Sequence, residues 1–571
     1  MAASKKSRTR RKKLDPKVIE GRAYRKDIRE IFRNVGFEKV NGVSDQEIHF
    51  RDRTGDFDDI FIYENIIVMA EYTVSASKIG DHLNKKKILF DKVLENPDEF
   101  IEYLETKFET FKNQRNSKYS SKQCYLVIIY CSKNDVERKH KILQPNLIFL
   151  DYPNLKYFLS LTRSIYLSSK YEIFDFLKIE HKYIGENYLK NRDAPIPIQG
   201  SVLPEDYSNY SEGFKLVTFY IEPDVLLRTS YILRKQGWRD PIGLYQRMIS
   251  RSKIKGIRKY LIEHRRVFIN NIIATLPPEA RILDTQRNPI DSKKLTRPVP
   301  VTIEFPDEYN TIGLIDGQHR VFSYYESKNK EEEEIIAKLR NQTNLLVTAI
   351  IFPPQMTEKE RLRFEAKLFL EINSNQTNAS TDLRQTIALI LDPFSSESIA
   401  RAVIARLDSK GPLEDLIQNH FYDTKKLKPS SIVSFGLKPL VKMSGEDSLF
   451  YIWGNSKKES IKDDENEELL DEYLKFCSSQ LNIFLSAFKS QLDSDQWNTK
   501  KMHSDGLLNT MFINSLIICL KLIIRNQGKL QSREYYVEKL KGFSKFPFKN
   551  YGGSQYNMMA TDIYDKFFKT D

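Results

Sequence analysis

The chain has little cysteine: there are four cysteines in 571 residues, and no two of them form a Cys-x-x-Cys pair. This spacing excludes a zinc ribbon and indicates no disulfide framework, so we expect a reducing, cytoplasmic setting. Long apolar runs are also missing. The most apolar late stretch, Phe512 to Ile524, is interrupted by Asn514 and Lys521 and is shorter than the roughly 20 residues of a membrane span. The basic N-terminus lacks the apolar core of a signal peptide, so we expect no membrane partner.

The charge balance is positive, with 90 Lys and Arg residues against 77 Asp and Glu residues and a net charge of +13. Such an excess favours a polyanionic partner such as nucleic acid, although a basic solvated surface explains the charge equally well. With 40% hydrophobic and 12% aromatic residues, the composition is that of a globular chain. The length predicts several domains.

The periodicity of apolar residues and the positions of glycine and proline predict an α/β multidomain chain. Apolar patterns indicate a helix near the start, then strands and helices up to about residue 190, and mainly helices after about residue 400. A stretch with prolines and a glycine separates the first two domains. The predicted parts are a basic disordered tail (1–17), an αβ domain (18–190), a linker (191–210), an α+β domain (211–400) and a helical region (401–571).

Acidic residues lie on two adjacent predicted strands. Asp58 and Asp59 stand at the start of one strand, and Glu71 lies near the end of the next. An acid at the start of one strand and another near the end of its hairpin partner can converge on one divalent ion. A lysine two residues after the second acid would stabilise an attacking water.

This spacing resembles the PD-(D/E)XK nuclease family, whose core runs helix, three strands, helix, strand. The resemblance covers roughly residues 18–190 and implies a restriction-endonuclease-like αβ domain that uses Mg²⁺. It implies that Asp59 or Asp58, together with Glu71, holds the metal, and that Glu30 on the first helix is a further candidate acid.

One position departs from that family's pattern, because Thr73 stands where the family has its catalytic lysine. Lys78, or one of Lys85 to Lys87 on the following helix, could supply the positive charge from elsewhere. The other interpretation is a DNA-binding domain that has lost cleavage. A third is that Asp58 and Asp59 are only hairpin-turn acids.

A second cluster is the pentapeptide Asp316-Gly317-Gln318-His319-Arg320, which follows an apolar run and precedes a helical pattern. A strand-to-helix turn of this kind offers backbone N–H groups to an anion, and Gly317 permits close approach. The simpler interpretation is a surface turn with a capping Asp.

Two flanking segments strengthen the first interpretation. Gln246 and Arg247 precede a basic helix, and a later helix ends in amides that include Asn373 and Gln376. With these three motifs in order, the chain resembles the DGQHR-domain family over about residues 210–400. That family includes DndB of DNA phosphorothioation systems and shares the ParB/sulfiredoxin-like fold.

The resemblance implies nucleotide handling, with ATP or another NTP as ligand. His319, Arg320 and Arg247 would bind phosphates, and Asp316 would hold Mg²⁺ or act as a base. The candidate amides around the pocket are Gln246, Gln318, Asn373 and Gln376. Gln318 replaces the reactive cysteine of sulfiredoxins, and no Gly-x-x-x-x-Gly-Lys-Ser/Thr loop occurs in the chain. Binding should vary with pH near the ordinary pKa of histidine.

These features together predict a bacterial DNA-modification or anti-phage defence protein. In it, a nucleotide-binding or NTPase site would control a Mg²⁺-dependent nuclease-like domain acting on DNA, with other defence or modification proteins as further partners. The alternative is a non-cleaving, DndB-like DNA-binding regulator or modification-complex subunit. A third hypothesis is that the nucleotide is itself the substrate.

Overall fold

A computed structural model of the chain describes residues 15–190, 194–234, 238, 246, 248–342, 345–376, 381–420, 422–463 and 466–569. It divides into two compact units, Met1–Thr357 and Glu358–Asp571. Residues 1–14 of the predicted basic tail lie outside the described residues. The last part of that predicted tail is structured, because Asp15 caps helix α1, which begins at Pro16.

The first unit opens with a five-stranded sheet whose order, over the described residues, is β1-β4-β5-β6-β7. The strands of this N-terminal part are β1 (Glu38–Lys39), β2 (Ile48–Phe50), β3 (Arg53–Gly55), β4 (Asp59–Tyr63), β5 (Ile66–Thr73), β6 (Tyr125–Ser132) and β7 (Ile148–Leu150). The β4–β5 pair is antiparallel, whereas β5, β6 and β7 are parallel. Strands β2 and β3 form a separate hairpin.

Helices cover both faces of this sheet. They are α1 (Pro16–Asn34), α2 (Ile79–Glu95), α3 (Pro97–Lys107), α4 (Glu109–Gln114), α5 (Arg138–Ile142), α6 (Tyr152–Ile165), α7 (Lys170–Phe176) and α8 (Glu186–Lys190). Strand β5 is buried on both faces, with Val68 and Ala70 in one apolar core and Ile67 and Met69 in another. Since side chains alternate along a strand, Glu71 shares the face of Ile67 and Met69, which packs against α2.

The second sheet of this unit has, over the described residues, the order β10-β14-β11-β15-β9-β8-β13-β12. Its strands are β8 (Ile196–Val202), β9 (Lys215–Ile221), β10 (Ser230–Tyr231), β11 (Ile272–Leu276), β12 (Arg281–Leu283), β13 (Val299–Phe305), β14 (Ile312–Asp316) and β15 (Leu345–Ile351). The accompanying helices are α9 (Glu205–Ser208), α10 (Pro223–Thr229), α11 (Arg251–His264), α12 (Gln318–Phe322) and α13 (Lys330–Arg340).

Two sequence predictions in this region are wrong. The predicted linker contains β8, which pairs with β13 along its whole length. Pro197 is tolerated there because it precedes the residues of β8 that also pair with β9. The strand predicted from Val267 begins only at Ile272, so residues 265–271 form an irregular loop. One apolar core also joins Phe158 and Phe174 of the N-terminal part to Leu226 of α10 and to Tyr324, which follows α12.

In its described residues the second unit is helical. Its helices are α14 (Glu358–Gln376), α15 (Thr381–Leu391), α16 (Ser396–Ser409), α17 (Pro429–Ser431), α18 (Lys438–Val441), α19 (Leu449–Ile452), α20 (Ser460–Asp463), α21 (Glu467–Lys489), α22 (Thr510–Gln527), α23 (Arg533–Lys539) and α24 (Tyr556–Phe567). They enclose one apolar core. The domain boundary predicted at 400/401 falls inside α16, and the unit begins at Glu358 instead.

The chain is therefore mixed α/β, as predicted, with a helical C-terminal part. The restriction-endonuclease-like and ParB/sulfiredoxin-like folds stay predictions. Among the described helices, none combines the length and the hydropathy that crossing a bilayer requires.

Candidate functional site

The end of β5 carries a buried carboxylate with one unpaired oxygen. Glu71 is only 3% exposed, and its Oε1 lies 2.9 Å from the Nζ of Lys86 and 3.3 Å from the Nε2 of His82. Among the described residues, its Oε2 has no hydrogen-bond partner. Lys86 also reaches Asp56, with 3.0 Å between Nζ and Oδ1. We call Asp56, Asp58, Glu71, His82 and Lys86 the acid cluster.

Helix α2 supplies both basic groups of this cluster. His82 and Lys86 are four residues apart, so they share one face of the helix, and that face packs against the end of β5. Lys78 is exposed at the N-cap of α2, where it has a left-handed backbone with φ +58°. The structure therefore brings Lys86, from the run Lys85 to Lys87, to Glu71 in place of Lys78.

The charge on Lys86 is stabilised by its acidic partners. Burial by itself would lower the pKa of the Lys86 amine, but the neighbouring Glu71 and Asp56 outweigh burial and raise it. The amine therefore stays protonated at neutral pH beside the Glu71 carboxylate. A hydrogen bond of 2.9 Å between the Nδ1 of His82 and the hydroxyl of Tyr130 fixes the imidazole.

Asp58 lies close enough to Glu71 for the two carboxyl groups to affect each other. Burial, and then the negative charge of Glu71, raise the pKa of Asp58 to about 7. The backbone N–H of Tyr72 donates to Asp58 Oδ2 at 2.7 Å, and Arg25 contacts its other oxygen. Two buried carboxylates that repel each other gain from a shared cation.

Asp59 lies on the opposite face of the sheet from Glu71. It is fully buried, and the guanidinium of Arg29 binds it through both oxygens, at 2.6 and 2.9 Å. Ser44 and Tyr72 donate further hydrogen bonds, at 2.8 and 3.0 Å. Strand alternation therefore turns Asp59 away from Glu71 and toward α1, where both of its oxygens accept hydrogen bonds, and its metal and catalytic roles stay predictions.

Glu30, the further candidate acid on α1, is not part of the acid cluster. Its carboxylate pairs with Arg163 of α6 at 2.6 and 2.9 Å, and this pairing lowers the pKa of Glu30. It serves helix–helix packing between α1 and α6.

Within the described ranges, no group of three or more His, Cys, Asp or Glu side chains is arranged to hold a metal ion. The predicted set of Asp58, Asp59 and Glu71 therefore does not come together. Among the described residues the Oε2 of Glu71 is buried without a hydrogen-bond partner, whereas both oxygens of Asp58 already have one. Mg²⁺ as a ligand of this chain therefore stays a prediction.

The pentapeptide lies where sequence pattern predicted it, between β14 and α12. Gly317 is the N-cap of α12 with φ +105°, and a Cβ there would lie 2.7 Å from Ile272 Cδ1, so only glycine fits without rearrangement. Asp316 and Arg320 form an ion pair of 2.6 Å across the turn. Helix α12 has five residues, so its macrodipole is small. Most of the electrostatic field at its N-terminus must therefore come from charged side chains.

The His319 imidazole is held neutral in cationic surroundings. Its Nε2 accepts a hydrogen bond of 3.0 Å from the backbone N–H of Ser250, the N-cap of α11. Burial, and then the charges of Lys253 and Arg234, lower the pKa of His319 to about 4. This lowered pKa favours the neutral imidazole at neutral pH, and the pH dependence of ligand binding stays a prediction.

Arg234 is a site residue that sequence reasoning missed. Its side chain is 1% exposed, and its Nη1 donates to Tyr157 and Glu172 of the N-terminal part, at 2.8 Å each. In the described structure its Nε and Nη2 are buried without a partner, as is the Nε of Arg320. Arg234 follows the apolar run Tyr231 to Leu233 directly. This is the one feature of the sequence that could have indicated a buried guanidinium, which would then need a partner.

The remaining predicted pocket residues are placed as follows. Gln246 is buried, and its amide donates to the carbonyl of Leu314, which is a structural role. Gln318 is half-buried at the start of α12. Arg247 lies outside the described residues. Asn373 and Gln376 belong to α14 of the second unit, where Asn373 Nδ2 donates to Phe369 O at 2.9 Å.

The chain was compared with protein-family models, with curated proteins and with solved structures, and none of the three comparisons finds a match.

Proposed function

We propose that the chain acts on DNA, with the acid cluster hydrolysing phosphodiester bonds in the presence of Mg²⁺. The observation that carries this proposal is the Lys86 ammonium 2.9 Å from Glu71. It supplies the cation that the PD-(D/E)XK resemblance requires and that Thr73 cannot provide.

In this proposal each residue of the acid cluster has a separate task. Glu71 and Asp58 would hold Mg²⁺, which lowers the pKa of a bound water and offsets charge on the phosphate. Lys86 would orient the attacking water and stabilise the negative charge that develops on the phosphate oxygens. His82, which lies between Tyr130 and Glu71, would fix the carboxylate so that Oε2 stays directed to the cation.

The pentapeptide would bind the phosphates of ATP or another NTP and control cleavage. Support comes from the cationic surroundings of His319, where Arg234 and Arg320 keep buried N–H groups without partners. A guanidinium forks two phosphate oxygens, and a phosphate there would satisfy those donors. The contact from Arg234 to Tyr157 and Glu172 would carry the state of this site to the nuclease-like part. In the context of the DGQHR resemblance, this describes a bacterial DNA-modification or anti-phage defence protein.

A second candidate function is favoured by one observation. Arg25 and Arg29 already pair with Asp58 and Asp59, so protein cations compensate part of the acidic charge. In that case the domain would bind DNA without cleaving it, as a DndB-like regulator or modification-complex subunit.

Cleavage of supercoiled plasmid with Mg²⁺, with and without ATP, GTP and CTP, tests the first function. Wild type should nick or linearise the plasmid, whereas Glu71→Gln and Lys86→Met should lose at least about 100-fold in rate. Lys85→Met is the matched control, because Lys85 is exposed on the same helix, and it should cleave normally. If DNA stays intact with every nucleotide while the protein still binds it, the regulator is the correct function.

The nucleotide site is tested separately by equilibrium binding of a fluorescent ATP analogue and by competition with other nucleotides. His319→Ala and Arg320→Ala should weaken binding by tenfold or more, and His264→Ala, which alters an exposed histidine, should not. Equal binding by all four proteins would remove the phosphate-site assignment.

A further inference from the structure

A basic surface follows directly from the helix that contacts the pentapeptide. Between Arg251 and Asn271 the sequence contains seven lysines and arginines and a single acid, Glu263. Lys255, Lys259, Arg265 and Arg266 are all exposed. Within the described part of the chain, Lys255 and Arg265 have no acidic partner, and the pair between Lys259 and Glu263 is long, at 3.5 Å.

The inner face of the same helix is firmly anchored. Arg258 is 3% exposed, donates to the carbonyls of Ser323 and Tyr325 at 3.1 and 2.8 Å, and stacks over the Tyr325 ring at 3.9 Å. Ser250 at the helix start donates to His319. The exposed basic side chains therefore stand on a helix of 14 residues, about 21 Å long, that is fixed at two points beside the pentapeptide.

The loop after this helix presents an apolar side chain to solvent. Ile269 is 89% exposed, the most exposed large hydrophobic residue that the structure describes. The loop is ordered around it, because Phe268 packs edge-on against Tyr260 and the Asn271 amide donates to Thr348 at 3.0 Å. Arg266 donates to the hydroxyl of Tyr260 at 3.0 Å, which fixes its guanidinium beside the loop. Ile269 thus stands on an ordered loop three residues after the exposed guanidinium of Arg266.

We propose that Lys255, Lys259, Arg265, Arg266 and Ile269 form a contact surface for duplex DNA, which we call the α11 surface. The basic side chains bind phosphates, and Ile269 inserts as an apolar wedge at a base step in the minor groove. This inference rests on the proposed function, in that it names where the DNA binds. Exposed lysines and arginines bind the phosphates of a DNA backbone, and here the Tyr260 hydroxyl also positions Arg266. Apolar side chains inserted beside such basic groups bend duplexes in other DNA-binding proteins.

Fluorescence anisotropy with a labelled duplex of about 25 base pairs tests the surface, with full-length protein in EDTA so that no Mg²⁺-dependent cleavage occurs. The double variant Lys255→Ala/Lys259→Ala should bind at least fivefold more weakly at about 100 mM salt. Its slope of log K against log salt should be shallower by up to about 1.8, since each phosphate contact contributes about 0.9. The matched control is Lys541→Ala/Lys549→Ala, which alters two exposed lysines of another element and should behave as wild type.

If Ile269 acts as a wedge, Ile269→Ala should affect DNA binding differently from the lysine double variant. Affinity should fall about tenfold with an unchanged salt slope, and the fluorescence rise of a 2-aminopurine placed at the unstacked step should disappear. Ile142→Ala is the control, because Ile142 is 65% exposed on α5. An unchanged 2-aminopurine signal or affinity for Ile269→Ala would refute the wedge.

The surface and the proposed function can fail independently. Glu71→Gln should keep wild-type DNA affinity, so loss of cleavage with normal binding concerns the acid cluster alone. If wild type cleaves DNA while the lysine double variant binds with unchanged affinity and slope, the α11 surface is wrong. Wild type binding vesicles of phosphatidylserine and phosphatidylcholine, but not the duplex, would also overturn it.

Discussion

The pair between Lys86 and Glu71 yields the sharpest energetic prediction. At 2.9 Å the direct attraction is about 6 kcal/mol with an effective dielectric constant near 20, and desolvation of both groups offsets much of it. Removing one partner of a buried pair leaves the other charge uncompensated, which costs about 3–5 kcal/mol. Glu71 is 3% exposed and cannot recover by hydration. We therefore expect Lys86→Met to lower the free energy of unfolding by about 3–5 kcal/mol.

A double-mutant cycle separates this interaction from packing. Glu71→Gln removes the buried charge, so adding Lys86→Met to it should cost about 2–3 kcal/mol less than Lys86→Met in the wild type. For a unit of 357 residues, an unfolding entropy of about 2.1 cal/mol/K per residue converts 1 kcal/mol to about 1.3 °C. Lys86→Met should thus lower the Tm of the first unit by about 4–7 °C.

Differential scanning calorimetry measures the Tm values, and Lys85→Met is the control because it alters an exposed lysine of the same helix. The reasoning is refuted if Lys86→Met lowers Tm no more than Lys85→Met. Additive effects of the two substitutions within about 0.5 kcal/mol would also refute it.

Three further predictions concern the other groups of the two sites. The folded-state pKa of Asp58 is raised from 3.8 to about 7, so the folding stability falls as pH rises through that interval. Thermal melts at pH 4 and pH 8 measure this fall, which is at most roughly 4 kcal/mol, and Asp58→Asn should remove it. A difference in stability between the two pH values that is the same in Asp58→Asn and in wild type would contradict the prediction. The pKa of His319 is lowered from 6.5 to about 4, so the folding stability falls as pH drops through that window. His319→Gln should flatten this part of the plot of Tm against pH. A plot identical to that of wild type would count against a neutral imidazole. Gly317→Ala should lower Tm by several degrees, through its positive φ and the contact with Ile272, and an unchanged melting curve would show that the turn relaxes freely.

Local features of the sites were predictable from sequence. The β4–β5 hairpin, the buried strand β6 and the strand-to-helix turn at Asp316 all lie within a few residues of their predicted positions. Each depends on period-two alternation, an apolar run or a glycine, and these act within one segment. The turn at Gly317 is the clearest case, because its positive φ excludes most other residues.

The choice between neighbouring candidates was not predictable. Asp58 and Asp59 are neighbours, so their side chains point to opposite faces of the sheet. Their roles depended on which helix covers which face, and Arg29 on α1 binds Asp59. Similarly, the Lys85 to Lys87 run offered three amines, and the direction of α2 brings only Lys86 to Glu71. The predicted linker became β8 because a partner strand, β13, is more than 90 residues away in sequence.

The sequence by itself determined where the acids and the pentapeptide stand relative to the strands, and that Thr73 follows Glu71 by two residues. Only the tertiary structure decided that Lys86 pairs with Glu71, that Asp59 pairs with Arg29, and that Arg234 joins the surroundings of His319. The physical reason is range. Alternation and turn geometry are properties of a few consecutive residues, whereas the partner of a buried charge is set by how distant elements pack around it.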